Sequence, residues 1–448
     1  MDATTKRLVD YALKVRYEDL SAETVAATKQ RILDTLGCVA AAYDHPVSVS
    51  VRRLAQRYKM DTPATILGGP GGVAPEMAAF ANSTMLRLLD LSDTYRVRSG
   101  GHPSDVIGAV LAASEIGARD GKSLIAAVAL GYEIYCSCCD AVDLNAMGWD
   151  QPVYGVVASA LAAGTLMGLD RDELGHAVAL AVTPNLASLQ TRSGELSNWK
   201  GCAGANAARN GLFAAILAQE GFTGPEAAIE GRFGLWDMTA RFDWPLDPGA
   251  PPCRIVDTHV KCFPVCYHGQ TAVWTALEMR DRFDVADIEA VEVETYAVAK
   301  AVMADAPSRW APKTAETADH SLPYVVALAL RDGDIGLDAY DDDRLRDPEL
   351  AALMQRVTVD ASDAFTAAYP KTSPTRITVR LKDGSEARHD LTYPKGHSQA
   401  PLSDGEIADK FRRLFAAYRD AARADAMVDL IAGLESLPDT EAIFEAFA

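Results

Sequence analysis

Through the first half of the chain, apolar positions recur every three to four residues and predict a succession of helices. The spacing places them at 4–15, 21–43, 47–60, 75–89, 103–117, 121–140, 151–167 and 170–183, with another opening near Lys200 and a short one at Thr223. Ser21 and Asp170 stand where N-caps belong. ATILGG at 64–69 reads as a short strand or an extended piece ending in a turn at 68–72. After a proline-rich link (245–258) the period changes to two in IEAVEVETY, VTVD, RITVRL and EARHDLT, with helical patterns at 318–333 and 347–356 between them. Lys382-Asp383-Gly384-Ser385 predicts a hairpin turn. From about 403 the helical period returns. The fold class expected is mainly α, with residues 1–258 and 403–448 forming a large helical domain from both chain ends. Residues 259–402 form a smaller α+β domain inserted between them.

Polar residues interrupt this pattern at a few places only. LDLSDTYRVRSGGHPSD, residues 89–105, is a polar knot between two apolar helices and holds Asp90, Asp93, Thr94, Arg96, Arg98 and His102. Pro103 suits a first helical position, so His102 stands at a helix entrance whose unpaired amides attract anions. Lys200 lies among Gly and Ala at the start of a buried helix, with Arg192 shortly before it. Lys261, Cys266 and His268 precede another apolar helix, and Asp319, His320 and Tyr324 a third. Cys262 and Cys266, with three residues between them and His259 and His268 nearby, do not have the spacing of a zinc or iron–sulfur knuckle, and no metal is expected. Cys136 to Cys139 read as helix packing, and Trp199 and Trp236 as core or interface.

The net charge of −19 changes the meaning of these basic residues. It argues against nucleic acid or an anionic membrane as partner, and an acidic substrate needs a local group of Lys, Arg and His to bind. The start of the chain shows no secretory pattern, and the eight cysteines imply no disulfide framework, so a cytoplasmic, reduced protein is expected.

Five segments in order, LDLSDTY…GGHPSD, SNWKGCAGANAARNGLFAA, KCFPVCYHG, ADHSLPYVVALAL and YPKGH…PLS, resemble the MmgE/PrpD family. That family includes 2-methylcitrate dehydratase, cis-aconitate decarboxylase and an iminodisuccinate epimerase. The resemblance implies a homodimer, an α+β lid over a helical domain, an active site in the cleft between them, and chemistry without metal or organic cofactor. By motif, Asp90, Thr94 and His102 match the family's acid, hydroxyl and histidine, and Lys200 and Lys261 its two lysines. His268 and Tyr324 fall in motifs facing the same cleft. Against the decarboxylase, Ser92 replaces an acid, residues 148–152 hold no histidine, and Cys266 stands at a histidine position.

These residues suit a small polycarboxylate. Lys and Arg neutralise carboxylates, and a histidine exchanges protons near neutral pH. The expected function is a 2-methylcitrate dehydratase-like hydro-lyase. His102, Asp90, Lys200 and Lys261 are its expected catalytic residues, and Thr94, Arg96, Arg98, His268 and Tyr324 contact substrate. Epimerisation or decarboxylation of a related acid is the alternative, and a non-catalytic binding protein on the same fold the second.

Overall fold

A computed structural model describes residues 1–61, 64–117, 119–194 and 196–448. The fold is mainly α, and the chain divides into two compact units. The first comprises Met1–Gly194, Asn198–Thr258 and Ser403–Ala448, and the second His259–Leu402 with a short piece before Asn198.

The first unit opens with α1 (Ala3–Ala12), α2 (Ala22–Ala41), α3 (Pro46–Ala55) and α4 (Pro75–Arg87). Ser21 caps α2 by accepting the Thr24 amide. Of the two forms expected at 64–69, the strand does not form, and the segment ends in the turn. Its backbone bonds to side chains instead: the Leu67 amide donates to Asn82, and the Thr65 amide to Glu115. A miniature hairpin, β1 (Tyr95–Arg96) and β2 (Gly100–Gly101), then precedes α5 (Ile107–Ile116), α6 (Gly121–Ala141), α7 (Pro152–Met167), α8 (Arg171–Val182) and α9 (Trp199–Gln219). A capping box of Asp170 and Glu173 starts α8. By length and composition α6 is apolar enough to cross a membrane, but 89% of its apolar window is buried inside the protein. Small residues let α7 and α9 approach closely: a Cβ on Gly211 would lie 2.6 Å from that of Ser159. No helix begins at Thr223, where the chain forms turns, and a single-turn helix, α10 (Leu235–Met238), follows instead. Trp199 is 47% exposed and is not a core residue, because it starts α9 on the outward side of the buried Lys200.

The second unit contains α11 (Tyr267–Met279), β3 (Ile288–Thr295), α12 (Ala297–Met303), α13 (Ala315–Ala318), α14 (Leu322–Asp332), α15 (Asp342–Leu345), α16 (Pro348–Met354), β4 (Val357–Ala361), α17 (Asp363–Ala368), β5 (Thr375–Leu381) and β6 (Glu386–Leu391). Its sheet runs β4-β3-β5-β6, with β3 parallel to β4 and antiparallel to β5. Ile377 and Val379 on one face of β5 are fully buried with α11 and α14 in one apolar core. The β5–β6 hairpin turns at Gly384 with φ +85°.

The chain then returns to the first unit as α18 (Asp404–Phe415), α19 (Ala421–Ala432) and α20 (Glu441–Phe447). Ser403 and Glu406 form a capping box on α18, which packs on α2.

Candidate active site

In the first unit the polar knot closes around Asp90. The residue leaves the end of α4 with φ +51°, a left-handed conformation that an aspartate tolerates at a cost. Its carboxylate is buried, 2% exposed. One oxygen accepts from Arg87 Nη1 at 2.5 Å and lies 4.0 Å from His102 Nε2, and the other lies 3.6 Å from Lys200 Nζ. Lys200 comes from the first turn of α9, and the packing of α9 on α4, where Gly201 meets Leu88, brings it there. Two cations thus flank this one carboxylate, the kind of local basic grouping that a protein of charge −19 needs to hold an acid.

The orientation of His102 follows from its other nitrogen. Nδ1 is 2.7 Å from the carbonyl oxygen of Asp93. A carbonyl only accepts, so Nδ1 carries the proton, and Nε2 of the neutral ring keeps its lone pair toward the cluster. The His102 amide is also held, by Tyr135 Oη at 3.0 Å and Gln151 Oε1 at 3.2 Å. The anion-binding role expected of this helix entrance is altered: residues Pro103–Val106 form a 3₁₀ turn, and the Ser104 amide is taken by the carboxylate of Asp93 at 3.2 Å. The entrance is therefore filled by the protein's own carboxyl group, whose pKa burial raises.

Asp105 lies behind His102, wholly buried, and accepts from Gln151 Nε2 at 3.2 Å. A Cβ on Gly204 of α9 would lie 1.9 Å from its Oδ2, so glycine lets the carboxylate pack against the helix that carries Lys200. Burial pushes the Asp105 carboxyl up to about 6, with Arg87, Gln151 and Arg192 opposing. As pH rises through the ordinary carboxylate range toward 6, the unfolded chain releases this proton before the folded one does, and stability falls. Asp105→Asn cannot ionise. It is expected to remove that fall and to stabilise the protein at pH 7 by up to about 3 kcal/mol, measured by denaturant unfolding at pH 4 and pH 7.

Of the other expected residues in this unit, Thr94 donates its hydroxyl proton to the Gly101 carbonyl at 2.9 Å and can only accept from a ligand. Arg96 lies in β1 with its side chain along Gly100. Arg98 reaches the Ala141 carbonyl at the end of α6, at 3.1 Å. In the second unit Lys261 is 1% exposed. His268 Nδ1 meets the Tyr296 hydroxyl at 2.6 Å, and the Tyr324 hydroxyl donates to the Ala339 carbonyl at 2.6 Å, inside that unit's own core. Cys262 donates its thiol to the Lys395 carbonyl, and Cys266 immediately precedes α11. His397 stacks on His259 with ring centres 4.1 Å apart, and burial holds it down at about 4, hence neutral.

Profile comparison assigns residues 6–245 to the MmgE/PrpD N-terminal domain and 263–435 to the MmgE/PrpD C-terminal domain. The chain belongs to the MmgE/PrpD family. Among its MmgE/PrpD relatives is a 2-methylcitrate dehydratase of Salmonella typhi, 28% identical over 97% of this chain and 95% of that protein. Another from Cupriavidus necator is 27% identical over the same shares. A cis-aconitate decarboxylase of Aspergillus terreus is 25% identical over 98% of this chain and 95% of that protein.

Two members of the MmgE/PrpD cluster escaped the sequence reading. Arg87 is one; its signal was the single charged residue in the last turns of α4, three residues before Asp90. Gln151 is the other, at the head of α7 where a histidine was sought.

Proposed function

We propose that the protein is a lyase that removes the proton α to a carboxylate of a small di- or tricarboxylic acid, acting as a hydro-lyase on 2-methylcitrate or a close analogue. The observation that carries this reading is the fixed tautomer of His102: its Nε2 lone pair stands 4.0 Å from a carboxylate that two cations flank. The dehydratases among the relatives support the choice of dehydration.

His102 Nε2 takes the α-proton as general base. The imidazolium so formed gains from Asp90. The electron pair of the broken C–H bond builds charge on the adjacent carboxylate, which Lys200 stabilises. Breaking the bond to the β-hydroxyl forms the double bond, and the hydroxyl leaves as water with the proton that His102 returns. The proposal gives Lys261 the second carboxylate and His268 a substrate contact. Thr94, Arg96, Arg98 and Tyr324 shape the surroundings, the last two through their backbone bonds. It gives the second unit the part of a lid and expects a cytoplasmic homodimer.

The test is incubation of a panel of di- and tricarboxylates in deuterated water. Deuterium entering the α-carbon of recovered 2-methylcitrate, together with the unsaturated product, is the expected result. Release of CO2 from cis-aconitate instead would move the assignment to decarboxylation, and absence of exchange with every acid would end the lyase reading.

A further inference from the structure

We propose that Asp150 is a positioning residue for this reaction: one buried carboxylate oxygen fixes the residue that holds His102 and the residue that holds Lys200. The inference rests on His102 and Lys200 being the working pair. Asp150 is fully buried between the single turn before it and the start of α7. Its Oδ1 accepts the Gln151 amide at 2.8 Å and Arg192 Nε at 3.0 Å. Gln151 then turns its side-chain oxygen to the His102 amide at 3.2 Å. Arg192 Nη1 extends to the backbone carbonyl of Lys200, 3.4 Å away. A continuous path of hydrogen bonds thus runs from the backbone of the base to the backbone of the cation, through side chains that touch neither reacting group.

The surrounding backbone keeps this oxygen in place. Trp149 and Ser188 form a bridge, the Asp150 amide donates to the Ala187 carbonyl at 2.8 Å, and the Leu189 amide donates to the Gly148 carbonyl at 2.8 Å. The strand-like contact joins the segment before α7 to the one that carries Arg192. The other Asp150 oxygen has no hydrogen-bond partner among the described residues. The charge is committed to Arg192, and a neutral amide does not replace it.

If Asp150 only stitched two loops together, its loss would lower the melting temperature and leave the chemistry alone. A positioning role predicts a different pattern, since a displacement of about 1 Å at a reacting pair costs on the order of 100-fold in rate. In Asp150→Asn we expect kcat to fall about 10- to 100-fold with KM changed by less than about twofold. Arg192→Gln is expected to do the same, and the double variant to be no slower than the slower single, because both break one path. Unchanged kcat with a lowered melting temperature overturns the proposal. A raised KM in Arg192→Gln at constant kcat also overturns it, by making Arg192 a substrate ligand.

Nitrogen-15 histidine spectra read the same path without turnover. The His102 ring signals should move in Asp150→Asn while those of His389, on a strand of the second unit, stay fixed. An unmoved His102 signal defeats the proposal whatever the activity. A moved signal in a protein that exchanges no acid keeps the path and removes the lyase reading.

Discussion

His102→Gln is expected to reduce turnover by roughly 10²- to 10⁴-fold, the range a positioned general acid–base supplies. The substitution is chosen for what it keeps. A glutamine side chain reaches toward the Asp93 carbonyl that His102 Nδ1 now meets, and the backbone amide still donates to Tyr135 and Gln151. What it lacks is a nitrogen able to take a proton. Substrate affinity should therefore change little, because Lys200 and Arg87 still flank Asp90. The solvent-deuterium exchange should vanish with the turnover. Exchange retained in His102→Gln would move the base elsewhere, and Lys200, 3.6 Å from Asp90, is the group next in line. Asp90→Asn makes the complementary measurement. It removes the charge facing the imidazolium and loosens both cations, so kcat and KM should both worsen. Measured initial rates across a range of substrate concentrations separate the two patterns.

Much of the helical order was legible because period, caps and breakers agree. Ser21 and Asp170 each precede a helix and do cap it. Where the pattern left a choice or misled, the causes are physical. ATILGG has strand composition, but a strand needs a neighbour. Here Asn82 and Glu115, from helices after it in the chain, take its amides. Thr223-Gly224-Pro225-Glu226 carries a helix-start signal, yet no apolar stripe follows to bury. At the site, the basic residues in apolar settings were the informative ones. Lys200 and Lys261 are both nearly inaccessible. Arg87 and Lys410 are buried in the same way, but Arg87 follows the polar Asn82, Ser83 and Thr84 on α4, and Lys410 is one of several charged residues on α18. The orientation of His102 was beyond reach altogether. It depends on a backbone carbonyl nine residues away, which leaves no trace in residue identity.

Lys410 carries the largest expected effect on stability. Its ammonium lies 2.5 Å from Asp34 of α2 and donates to the Leu91 carbonyl at 3.1 Å, with both side chains almost wholly buried. Cys38, Leu91 and Leu414 form a small apolar cluster between the same helices. Lys410→Met fits such surroundings but strands the Asp34 charge, at an expected cost of about 3–5 kcal/mol. Adding Asp34→Leu should recover most of that loss, since replacing a buried pair by apolar groups is often close to neutral. Thermal unfolding followed on the single and double variants checks both statements. The double variant also separates two roles of this lysine. Leu91 follows Asp90, whose left-handed backbone sets the carboxylate between its cations. A double variant as stable as the parent but slower would mean that the C-terminal segment holds the catalytic turn in place through the Leu91 carbonyl. The parent's full rate in the same variant would confine Lys410 to joining α18 to α2.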